Sequence, residues 1–126
     1  MYQARILEQH ELIDELVSEI AQNVFLKHPE ILEKFGEKGR SQTFSDLQKH
    51  FLHLQTAYKL QAPELFMDHV KWLHNVLISR EIDTRLVLTG LSIMKDSVKK
   101  LPPEKAAFYH KCINEAVQWL DEHHPL

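Results

Sequence analysis

The chain reads as all-α: one compact domain of about six helices. Apolar residues recur at three- and four-residue spacings along most of the 126 positions. No run of alternating β-branched residues is bounded by turn signals, and only 3 glycines occur, so strands have little support. The length suits one folding unit with one hydrophobic core.

The first helix is expected from Tyr2 to about Lys27, with Ile6, Ile13, Leu16, Val17, Ile20, Val24 and Phe25 on one stripe. Glu8, Glu11, Asp14, Glu15 and Glu19 fall largely off it and can stay solvated. Pro29 restricts His28 and suits the first turn of a new helix, expected to be short, over residues 29–35. Residues 36–40, with two glycines among polar neighbours, form the most evident loop. Thr43 and Asp46 resemble an N-terminal capping pair for a third helix whose seam is Phe44, Leu47, Phe51, Leu54 and Tyr58.

A fourth helix is expected over residues 63–80, with Leu65, Phe66, Val70, Leu73, Val76 and Leu77 inward. Asp83 is the expected N-cap of a fifth, which carries Val87, Leu88, Leu91, Met94 and Val98 inward. Gly90 inside it suggests close helix packing at a cost of roughly 1 kcal/mol against alanine. Pro102 and Pro103 stop it, and a sixth helix, residues 103–122, presents Ala106, Tyr109, Cys112, Ile113, Ala116, Val117 and Leu120. Short connections imply antiparallel neighbours.

Hydrophobic residues at 44% and charged residues at 26% are ordinary for a globular protein. A formal net charge of −3 argues against general nucleic-acid binding, which needs a clustered excess of Lys and Arg. No stretch approaches the ~20 apolar residues of a membrane span, and neither an export signal nor insertion is indicated. Cys112 is the single cysteine, so an intramolecular disulfide and a cysteine-rich zinc site are excluded; a cytoplasmic location is expected.

Nine histidines are the feature with most chemical potential. His50 and His53 lie one turn apart on the third helix, and His69 flanks the stripe of the fourth. If those helices pack antiparallel, His50 and His69 approach each other in the core, and a neutral imidazole pair is a ligand set for zinc, copper, nickel or haem iron. Taken singly, each histidine is more plainly a packed or surface residue satisfied by a hydrogen bond. Asp46, one turn before His50, and Asp68, next to His69, are candidate orienting carboxylates or, on an open cleft, acid and base groups.

Other chemistry lacks its motifs. No Glu-x-x-His, His-Glu-x-x-His, Gly-x-Ser-x-Gly or phosphate-loop pattern occurs. Cys112 falls on an apolar face, where a buried inert thiol is expected. Trp72 and Trp119, with Phe44, Phe51, Phe66, Phe108, Tyr58 and Tyr109, serve core packing or the walls of an apolar cavity, and any exposed remainder suits a homodimer face.

Asp46, His50, Leu54 and Ala57, the run Pro63-Glu-Leu-Phe-Met-Asp-His-Val-Lys-Trp72, then Leu77, Arg80, Glu81 and Leu101-Pro102 form a pattern over a little over half the chain. It is similar to the helical segment that precedes corrinoid-binding modules in some bacterial sensor proteins, also found as a standalone regulatory domain. The Asp-x-His-x-x-Gly motif of cobalamin-binding modules is absent, so what the resemblance implies is the regulatory helical part. A looser likeness is to globin-like sensor domains, with a long first helix, a short second one and inward histidines.

Together these readings lead to a non-enzymatic regulatory or sensory domain that binds a small hydrophobic ligand or a regulatory protein and self-associates as a homodimer. The cofactor is not specified by the residues. The second reading is a haem or other tetrapyrrole binder with His50 or His69 as axial ligand and Phe51, Phe66 and Trp72 around the macrocycle.

Overall fold

A computed structural model of the chain describes residues 2–81 and 84–123, with side chains from residue 12 onward. The order is α1 (Tyr2–Lys27), α2 (Glu30–Leu60), α3 (Glu64–Ser79), α4 (Arg85–Ser97), a 3-10 turn (Val98–Lys100) and α5 (Pro103–His123), with no strand among the described residues. The all-α expectation holds, in five α-helices where about six were expected. Contacts group the chain into two compact units, Met1–Phe51 and Leu52–Leu126.

In the first unit, α1 buries Leu16, Val17, Ile20, Ala21, Val24 and Phe25, while Asp14 and Glu15 stay exposed. The expected stripe is therefore present from Leu16 on; the side chains of Ile6, Glu8 and Glu11 lie outside the described residues. The His28 backbone N–H closes the last turn on the Val24 carbonyl at 2.8 Å, and the Pro29 carbonyl receives the N–H groups of Leu32 and Glu33, each at 3.2 Å. Proline supplies no donor of its own, so the chain restarts there as a new helix.

The loop expected over residues 36–40 is a one-residue kink. Within α2 only Gly36 departs from helical geometry, at φ 55° and ψ −135°, a conformation reserved for glycine. Gly39 is back in the helix and buried, because a Cβ there would lie 2.8 Å from the Cβ of Phe35 and 2.9 Å from the carbonyl oxygen of Ile31. The second glycine thus admits the short N-terminal piece of α2 against the turn that follows, and the two expected helices meet at the Gly36 kink with no loop between them. Thr43 consequently does not cap: its hydroxyl donates to the Gly39 carbonyl at 2.9 Å within the helix, and Asp46 accepts from the Gln42 amide at 2.9 Å.

The second unit begins in the last turns of α2. Gln61, at φ 51°, ends this helix in a left-handed cap: its N–H reaches the Tyr58 carbonyl at 3.1 Å, and the Ala62 N–H reaches Ala57 at 2.9 Å. The chain then reverses into α3. His53 and His69 lie nearly equidistant in sequence from this turn and their rings stack, so the two segments form an antiparallel hairpin. Asp83, the expected cap of the next helix, lies outside the described residues; the N–H groups of Val87 and Leu88 in the first turn of α4 bond to the carbonyl of buried Thr84.

α4 turns its buried face, Gly90, Leu91, Met94 and Ser97, toward α5, and the 3-10 turn packs on α5 as well. Gly90 does not serve close packing, since a Cβ there would meet nothing within 4 Å. Leu101, extended at φ −81° and ψ 164°, precedes Pro102 as proline sterics require. α5 is the hub of the unit. It packs on α3 and α4, and its stripe Tyr109, Cys112, Ile113, Ala116 and Leu120 is buried at helical spacing. Tyr58 of α2 meets Phe108 and Tyr109 edge to face, with centroids 5.3 and 6.2 Å apart.

Candidate functional site

The candidate site centres on α3, whose buried face consists of Phe66, His69, Val70 and His74. Two imidazoles among four buried positions is costly for a helix that serves packing alone, because each ring carries two polar nitrogens into the core. His69 is 8% exposed. Its ring lies on that of His53 with centroids 3.9 Å apart and planes 12° from parallel, and Phe66 stands 6.0 Å away, tilted by 48°. Loss of water contact pushes the His53 imidazole below its ordinary value.

The residues expected to bind a ligand divide as follows. His50 and Phe51 are buried at the end of the first unit, while Phe66 and His69 are buried together in the second. Trp72 is 61% exposed, so it lies on the outer face of α3 and does not line an interior cavity. The reason is angular: Trp72 follows Val70 by two residues, about 200° around the helix. Asp68 is exposed, whereas Asp46 is half-buried, and burial raises its carboxyl while the Gln42 amide opposes the rise. Among the described residues, no group of three or more metal-ligating side chains is assembled.

Sequence reading missed His53 as the stacking partner and His74 as a core residue. The spacing held a signal for both: His74 continues the Phe66 and Val70 stripe by four residues, and His53 lies one turn from His50. Neither was assigned inward because histidine counts as polar in a periodicity pattern. Cys112 is buried as expected, and burial, with Glu115 nearby, pushes its thiol up to about 11 against a smaller effect of Lys111. Among the described residues, no helix is long and apolar enough to cross a membrane.

No family model, curated protein or solved structure matches the chain.

Proposed function

We propose that this chain is a non-enzymatic regulatory domain in which α3 joins ligand binding to self-association. The observation that carries this reading is the division of α3 into two faces. One buries Phe66, His69, Val70 and His74; the other leaves the large indole of Trp72 61% exposed. A small hydrophobic ligand anchored at the histidine face shifts the packing of α3 by its preference for one arrangement. The outer face, with exposed Trp72, transmits that shift to a second copy.

A tetrapyrrole is the second reading, favoured by the burial of His69 beside Phe66, where a neutral imidazole nitrogen suits haem iron. Haemin is therefore the first probe. A stoichiometric Soret band that His69→Ala or His50→Ala abolishes supports the tetrapyrrole form. Without such a band, a ligand screen read by melting temperature decides the wider reading, which fails if neither small molecules nor partner proteins shift the transition.

A further inference from the structure

His74 is the last buried side chain of α3. Beyond it Val76 and Leu77 are half-buried, while Asn75, Ile78 and Ser79 are exposed, so the C-terminal half of the helix rests on the core chiefly through one imidazole. That ring is 4% exposed and meets the indole of Trp119, on α5, nearly edge on, with centroids 5.0 Å apart and planes at 74°. Neither Nδ1 nor Nε2 has a hydrogen-bond partner.

A neutral imidazole can occupy such a place at the cost of two desolvated nitrogens, but an imidazolium there is a buried charge that needs a partner. No carboxylate accepts a hydrogen bond from the ring, and Asp68 of α3 and Glu115, Asp121 and Glu122 of α5 are all exposed. The groups gathered at the contact are basic. His123 of α5 stacks on Trp119 at 4.2 Å and 15°, and the Lys71 ammonium of α3 stands 5.6 Å from the centre of the same indole. Where the end of α2 meets α3 it brings His53, whose ring lies on that of His69, more than one turn before His74. Burial, with the charge of His123 adding to it, pushes His74 below its ordinary value.

We propose that the contact of His74 with Trp119 is an acid-released latch: protonation of His74 frees the C-terminal half of α3 from α5, while α5 keeps its packing on α4. The inference goes beyond the regulatory reading, since the proton is the ligand and neither a small hydrophobe nor a second copy takes part. Above the ordinary imidazole value of about 6.5 the ring is neutral whether docked or released. Below it the released ring takes up a proton and the docked ring does not, so docking weakens as pH falls, until pH reaches the lowered value of the docked ring. Within that window each pH unit multiplies the ratio of released to docked α3 by up to about tenfold.

The test is hydrogen exchange read by mass spectrometry on the full chain from about pH 7.5 down to about pH 5, expressed as protection factors so that the intrinsic pH dependence of exchange is removed. Protection over residues 75–79 should fall below pH 6.5 by up to about tenfold per unit, while the α5 stripe around Ile113 keeps its own. His74→Leu cannot take up a proton and should lose this dependence. His74→Phe, which keeps a ring against Trp119, should lose it as well, and circular dichroism checks the fold of each variant. Protection over residues 75–79 that is insensitive to pH, that falls equally in the folded variants, or that falls in step with α5 overturns the proposal.

Discussion

The imidazole of His53 lies flat on that of His69, with ring centroids 3.9 Å apart and planes only 12° from parallel. This contact joins the last turns of α2 to α3 across the Gln61 cap, so it helps hold the helix that presents the candidate site. His53→Ala should cost about 1 kcal/mol in urea unfolding, a magnitude typical of an aromatic pair. His53→Phe keeps a flat ring and should recover most of that loss. Equal destabilisation by both substitutions would show that stacking contributes nothing.

Two glycines should respond to alanine with opposite sign. Gly36 holds φ 55° and ψ −135°, so Gly36→Ala should destabilise by roughly 1–3 kcal/mol. Gly90 is helical and has nothing within 4 Å of an added Cβ, so Gly90→Ala should stabilise by about 1 kcal/mol. Thermal melts of the two variants check both signs at once.

Tyr109 is fully buried, and its hydroxyl has no hydrogen-bond partner. Removing an unsatisfied buried hydroxyl relieves its desolvation cost, so Tyr109→Phe should gain about 1 kcal/mol. Burial, with Tyr58 and Cys112 adding to it, pushes this phenol from 10.0 up to about 12. Below the unfolded value both states hold the proton; between the two values only the unfolded state loses it, so stability falls as pH rises. Unfolding curves from pH 9 to 11.5 should show that fall in the parent and a smaller one in Tyr109→Phe.

The Cys112 thiol, buried and pushed up to about 11, should be almost entirely protonated at neutral pH. Thiolate is the reacting species, so iodoacetamide should modify the folded chain far more slowly than the chain in denaturant. Mass spectra over a time course read the difference. Similar rates in the two states would place the thiol at the surface.

The apolar stripes of α1 and α5 were legible because Leu16, Val17 and Ile20, or Tyr109, Ile113 and Ala116, repeat at helical spacing with charged residues off the stripe. The kink at Gly36 was half legible. Two close glycines signalled a break, but the contact of Gly39 with Ile31 and Phe35 depends on tertiary geometry that no local pattern carries. Thr43 looked like a cap for the same reason: a hydroxyl before an apolar run has the same sequence whether it starts a helix or bonds backward inside one. On α3, His69 carried an expectation and His74 none, whereas Trp72 was expected in the core or at the wall of a cavity. The polar ring went inward and the large indole outward, an inversion that hydropathy alone cannot anticipate.

The proposed division of labour on α3 is tested most directly by sedimentation velocity on wild type and Trp72→Ser over a wide concentration range. A concentration-dependent dimer is expected for wild type, with a shift toward monomer in Trp72→Ser and little change in its melting temperature. A wild type that stays monomeric at every concentration, or a Trp72→Ser protein that dimerises equally well, would contradict an association surface on α3.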